Sequence, residues 1–426
     1  MIRFKLSTLM FLQFFIWGAW YTTVGNYMSA HGMAALAYLP YTVNPVAAIV
    51  APFFLGLIAD RFFSTEKVLG VLHVLGGVFM LLAPRTSGGL FIFVLLLYNL
   101  CYMPTLGLAN SLAFHNIQNQ ERDFPVIRVF GTIGWIVAGL FIGWVLSQFT
   151  NGVMPDKTSL PLYTTAIASL VLGVFSFSLP HTPPPAAGRP ISVRSIVGID
   201  ALRELGSTPF YVFVVSSLLI CIPLAAYYAY APLFAKVGVY DFGTHNFVTA
   251  VFKNPSSLMT LGQMSETAFM FLMPLMFARL GVKKMLLVGM GAWVLRYALF
   301  ALAAPSAVFW LIVTGILLHG VCYDFFFVTG QIYVDKKSSP AVRGQAQGFL
   351  VLVTYGVGML IGGVIAGRVY NGFLGTATDL TLDQFAKFWP LPAGFAAVVL
   401  VLFALFFRPQ TQESSRGSPT EPRVAP

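Results

Sequence analysis

Two acidic residues sit where the surrounding sequence gives them no ready partner. Glu266 lies in PSSLMTLGQMSETAFMFLMPLMF and Asp324 in LLHGVCYDFFFVTG, both strongly apolar stretches. An acid at the centre of a membrane helix costs about 2.5–3.5 kcal/mol on insertion scales, so such groups face a cavity or a partner and often mark ion paths. In low dielectric a carboxyl favours its neutral form, which lets it load and release a proton. The other acidic residues fall at loops, helix ends or tails. Glu266 and Asp324 are therefore the candidate proton carriers. The competing reading is a structural hydrogen bond or ion pair, for Asp324 with Arg296.

Other polar and aromatic residues fall at helical spacing around these acids. Gln263 precedes Glu266 by three positions and shares its face, offering donor and acceptor groups to one ligand. His319 precedes Tyr323 by four. Asp324 lies one residue further round, about 100° away at 3.6 residues per turn, so Glu266 ranks above it as a ligand-facing acid. In FPVIRVFGTIGWI, Arg128, Thr132 and Trp135 follow i, i+4, i+7 and form one face with a cation, a hydroxyl and an indole. Arg128 alternatively snorkels to lipid phosphate. In FLQFFIWGAWYTTVGNYM, Gln13, Trp17 and Trp20 repeat the same spacing, and mid-span indoles suit stacking on a planar ring. These residues describe a polar, aromatic binding wall.

What must position them is a membrane scaffold. Of 426 residues, 57% are apolar and 9% charged, with mean hydropathy +0.79. An ordinary soluble domain is about 25% charged. About twelve stretches approach the ~20 apolar residues that a spanning helix needs. They fall near 7–30, 35–59, 67–84, 89–113, 125–148, 160–180, 208–235, 255–279, 284–303, 306–333, 343–368 and 385–407. The expected fold class is an all-α membrane protein of about twelve transmembrane helices in two six-helix halves. Residues 1–180 form the first bundle, 181–207 a cytoplasmic connector, 208–408 the second bundle and 409–426 a disordered cytoplasmic tail. Within the connector, IVGIDALREL reads as a short amphipathic surface helix.

The net charge of +10 is spread through the connectors. Its basic residues concentrate on the side that would carry both termini, which orients the chain with both ends cytoplasmic. The pattern does not suit nucleic-acid binding. Cys101, Cys221 and Cys322 lie in apolar runs and suggest neither disulfide nor metal. No G-x-S-x-G or H-E-x-x-H pattern appears, so an enzyme is disfavoured. A receptor would need a polar signalling domain that the sequence lacks.

Short basic loops recur at matching places in the halves, GLIADRFFSTEK (56–67) and FARLGVKK (277–284). Twin six-helix halves follow the plan of major facilitator transporters. GLIADR resembles that superfamily's loop signature, in which Asp60 and Arg61 would tie helix ends together. Further motifs narrow the resemblance. FLQFFIWGAWYTTVGNYM (11–28), YMPTLGL (102–108), DFPVIRVFGTIG (123–134), QMSET (263–267), WVLRYALFA (293–301), DFF (324–326) and SPAVRGQAQG (339–348) together resemble the bacterial nucleoside–proton symporters over nearly the whole chain.

This resemblance implies nucleoside uptake across an inner membrane, driven by protons, with no other cofactor and no metal. A monomer in the lipid bilayer would suffice. Binding residues carry over at Arg128, Thr132, Gln263 and Glu266. Trp135 and Tyr323 stand at aromatic positions, His319 stands where the family has a tyrosine, and Asp324 matches an acid essential to the pattern. On CIPLAAYYAYAPLF (221–234), Leu224 and Tyr227 take the places of a polar Gln and Asn pair, and Tyr227 is expected among the substrate-binding residues. The alternatives are a sugar or other glycosylated ring as cargo, or an uncoupled facilitator.

Overall fold

A computed structural model describes residues 2–54, 62–184, 198–239, 251–339 and 342–408; the Asp60–Arg61 signature and the tail lie outside them. Among the described residues every regular element is a helix. Helix α1 (Ile2–Tyr21) continues past a two-residue break as Val24–Ala30, followed by α2 (Pro40–Phe54), α3 (Thr65–Leu82), α4 (Gly88–His115), α5 (Gln120–Leu140) and α6 (Leu160–Ser176). The connector helix expected in IVGIDALREL is present at Ile199–Leu205. Beyond it come α7 (Thr208–Val239), the 49-residue helix Pro255–Ala303, α10 (Phe309–Lys337), α11 (Arg343–Leu374) and α12 (Leu382–Phe406).

The long helix was expected as two spans with a loop between them. It runs instead without a loop and is broken at Gly281, whose φ of 66° and ψ of 174° fold it into two arms. A residue without Cβ takes that conformation readily. The arm before Gly281 is α8 and the arm after it is α9. Among the described residues nine helices are long and apolar enough to cross a membrane, with the two arms about Gly281 counted as one; α1 is not one of the nine and α6 is shorter, and the chain is a multi-pass membrane protein.

Helices α1 to α6 pack mainly on one another, as do α7 to α12. Within the first bundle α1 lies so close to α5 that a Cβ on Gly134 would meet the Phe11 carbonyl oxygen at 2.1 Å. An ion pair between Arg3 and Asp123 (2.9 Å) joins the starts of the same two helices. The bundles meet along α5 and α8, α2 and α11, and the extension of α1 and α7. Three π-helical turns widen the helices, at Phe141–Val145 after α5, Asp324–Val328 in α10 and Leu352–Gly358 in α11. Such turns gather at functional positions.

At the end of the bundle away from the N terminus the halves are tied together. Lys236 at the end of α7 forms an ion pair with Asp379, which also accepts from Ser29 (2.6 Å). Asn254 donates to the Gly143 carbonyl, and Asn26 to that of Pro232 (3.5 Å).

Candidate functional site

Between the bundles lies a cavity of about 490 Å³. It reaches Ala51 near the end of α2, Asn110 on α4, Arg128 on α5 and Val351 on α11, toward the helix ends that lie on the side of the N terminus. The ties just described close the opposite end.

Eight of the residues singled out by spacing or resemblance line this one space: Trp17, Arg128, Thr132, Trp135, Gln263, Glu266, His319 and Tyr323. Helical periodicity brings them there. Arg128, Thr132 and Trp135 descend one face of α5, and the Trp17 indole meets Trp135 edge-on at 5.4 Å. The Arg128 guanidinium lies over the Phe14 ring at 4.1 Å, turned into the cavity rather than toward lipid headgroups. Across from it, α8 presents Gln263 and Glu266. His319 Nε2 is 3.8 Å from Glu266 Oε2, and Tyr323 shares a hydroxyl–hydroxyl bond with Tyr355 of α11. The side-chain carbonyl of Gln263 and Nδ1 of His319 have no hydrogen-bond partner among the described residues. The cavity thus sets a cation on one wall against a carboxyl on the other, with rings between them and amide groups unspent.

Three residues expected in the binding wall, Gln13, Trp20 and Tyr227, lie elsewhere. Gln13 is fully buried, donates to Thr105 Oγ1 (2.7 Å) and meets His73 Nε2 (2.9 Å) through its carbonyl oxygen. A polar side chain inside a helical bundle satisfies itself on the nearest polar neighbour, and for Gln13 that neighbour is in its own half. Tyr227 is also fully buried, behind the cavity wall, and stacks on His319 at 5.4 Å; Leu224 is buried likewise. The ring that enters the cavity from α7 is Tyr228. Trp20 packs edge-on against Tyr98 at 5.5 Å, within the first bundle.

Asp324 is buried behind the cavity lining, and neither carboxyl oxygen has a hydrogen-bond partner among the described residues. The alternative that it pairs with Arg296 is not realised: Arg296 Nε donates to the Gly315 carbonyl (3.0 Å), and its guanidinium lies over Tyr227 and Trp293. Sequence reasoning missed Tyr21, Asn44, Asn110, Tyr228 and Tyr355, which also line the cavity. Asn44 was findable as an amide inside an apolar span. Tyr228 was not separable from Tyr227 without knowing the rotation of α7.

Paired helical bundles around a polar central cavity define a secondary transporter. Comparison with known proteins places it more closely. The profile described as Nucleoside H+ symporter matches residues 1–412, and the chain belongs to that family. It is 40% identical over 418 residues to the putative nucleoside transporter YegT of Escherichia coli (strain K12), covering 96% of this chain and 94% of that protein. It is 31% identical over 417 residues to the nucleoside permease NupG of the same organism, covering 96% of each. The solved structure of nucleoside transporter NupG matches with a TM-score of 0.81 at 30% identity, over 96% of this chain and all of that one. A solved peptide transporter matches with a TM-score of 0.74 at 14% identity, over 95% of this chain and 94% of that one, a likeness of fold alone. The relatives are transporters and permeases, not enzymes.

Proposed function

We propose that this chain carries nucleosides together with protons across a bacterial inner membrane, by alternating access around the central cavity. The observation that carries the reading is the convergence of Arg128, Gln263 and Glu266, from opposite bundles, on one aromatic-walled space. Ribose hydroxyls bond to Gln263, Glu266 and Arg128, while the base lies against the rings of Trp17, Trp135, Tyr228 or Tyr323. Glu266, in the cavity, and Asp324, unpartnered behind it, carry the proton. Protons are the coupling ion, with no other cofactor and no metal. Both termini are cytoplasmic, as the basic loops indicate, so the cavity is drawn open to the inside. One chain supplies the whole cavity, and a monomer in lipid suffices. Relatives that include a nucleoside permease and a xanthosine permease support this cargo class.

The test is uptake by purified protein in liposomes under an imposed pH gradient. Radiolabelled nucleosides should accumulate when the outside is acid, and unlabelled nucleosides should compete. Accumulation of a sugar in preference to nucleosides reassigns the cargo. Equilibration without accumulation identifies an uncoupled facilitator.

A further inference from the structure

Arg296 has no place in the transport scheme so far, yet it is a fully buried cation. Its Nε donates to the Gly315 carbonyl, and among the described residues neither terminal nitrogen has a hydrogen-bond partner. Among the described residues no carboxylate pairs with it. Its charge rests on aromatic faces, Tyr227 at 4.1 Å and Trp293 at 4.7 Å. Removing an ion from water is expensive unless a counter-ion or a full set of hydrogen bonds offsets it, and cation–π contact replaces only part of that loss. A charge held so deep on such terms needs a reason beyond packing.

The same Tyr227 ring stacks nearly parallel on the His319 imidazole, at 5.4 Å and 19°. His319 in turn places Nε2 at 3.8 Å from Glu266 Oε2, at the cavity surface. The groups therefore form a file, Glu266, His319, Tyr227, Arg296, leading from the cavity into the second bundle. Every element around His319 contributes a group. α8 gives Glu266, α9 gives Arg296, α7 gives Tyr227 and Tyr228, and α10 itself gives Cys322 and Tyr323; Arg128 of α5 faces Glu266 across the cavity.

We propose that Arg296 is a positioning residue for proton coupling: acting through Tyr227, its permanent charge keeps His319 an uncharged hydrogen-bonding group. Burial alone already disfavours a charged imidazole, and the charge of Arg296 adds to it. A second positive charge on the imidazole would stand one ring away from the first in a low-dielectric interior, where like charges repel strongly. An uncharged His319 leaves Glu266 free to exchange its proton. A charged one would bind Glu266 as an ion pair and hold it in its ionised form. Arg296 thus protects the proton-carrying acid from capture by its own neighbour. The inference rests on nucleoside–proton symport as the activity of this cavity.

The experiment uses the full chain in liposomes and compares pH-driven nucleoside uptake with nucleoside exchange, which needs no proton gradient. Outer pH is varied from about 8 to about 5, the range in which an exposed histidine titrates. In Arg296→Gln, concentrative uptake at the acid end should fall about tenfold, the change that one unit of proton affinity brings, with exchange retained. Arg296→Lys should keep the wild-type pH profile. In a His319→Gln background, Arg296→Gln should add nothing. Equal losses in the Lys and Gln variants with an unchanged profile, or a full Arg296→Gln effect without His319, would overturn the proposal. If Arg296→Gln does not fold, the decision passes to Tyr227. Tyr227→Leu should show the acid-side loss and Tyr227→Phe should not, and a wild-type profile in Tyr227→Leu overturns the inference. Absence of pH-driven uptake in the wild type instead defeats the underlying activity.

Discussion

The carboxylate of Asp156 accepts a hydrogen bond from the backbone N–H of Ser256 at 3.2 Å and from its hydroxyl at 3.1 Å, although the two residues belong to opposite bundles. Ser256 opens α8, and Asp156 lies in the turn between α5 and α6, fully buried. The contact seals the end of the molecule away from the N terminus. Opening that end requires breaking it.

Asp156 makes this seal sensitive to pH. Burial pushes its carboxyl up to about 7, against the hydrogen bonds from Ser256 and the charge of Lys236, which act the other way. With the end open and the group in water, it returns to the ordinary value of about 3.9. The closed form therefore binds the proton more tightly. Its advantage is fully present below about 4 and is lost as pH rises through about 7. Spin labels placed across that end should report more closed molecules as pH falls from about 8 to about 5. Asp156→Asn should abolish the dependence. Persistence of the same titration in that variant would assign it to another group.

Glu266→Gln should reduce concentrative nucleoside uptake by about tenfold or more, since a hydrogen bond to a charged group is worth roughly 1.5–3 kcal/mol. The amide keeps the shape and removes the proton site. Uptake driven by a pH gradient is the measurement, and wild-type accumulation would remove Glu266 from coupling.

Asp324→Asn should separate binding from coupling. The side chain lies behind the cavity lining, so nucleoside affinity measured by calorimetry should stay within about threefold, less than one ordinary hydrogen bond. Nucleoside-induced proton movement should disappear. Equal proton currents in variant and wild type would contradict the assignment.

Gly134→Ala should loosen the first bundle without touching the cavity chemistry. The added methyl would sit 2.1 Å from the Phe11 carbonyl, and backbone cannot yield as a side chain does. Overpacking of this kind costs about 1–3 kcal/mol, read as a lower melting temperature in detergent. An unchanged melt would show that α1 and α5 can separate freely.

Much of the site was legible because helical periodicity is strict. Arg128, Thr132 and Trp135 share a face on any straight helix, and so do Gln263 and Glu266. Gln13 shows the limit of that reasoning. It lies one turn from Trp17, but a helix in a bundle has neighbours on several sides, and His73 and Thr105 hold Gln13 in a different direction from the indole. Tyr227 shows a finer limit. It differs from Tyr228 by one step of about 100°, and composition does not reveal which of two adjacent tyrosines faces inward. The join of α8 to α9 was hidden for another reason: Arg279, Lys283 and Lys284 read as loop charges, whereas the chain reverses on the single residue Gly281.

That reversal has a mechanical consequence. Glu266 rides on one arm and Arg296 on the other, with no slack chain between them to absorb motion. A tilt that moves the acid is passed through a one-residue elbow to the buried cation, so the two ends of the file cannot drift apart independently as the transporter turns over.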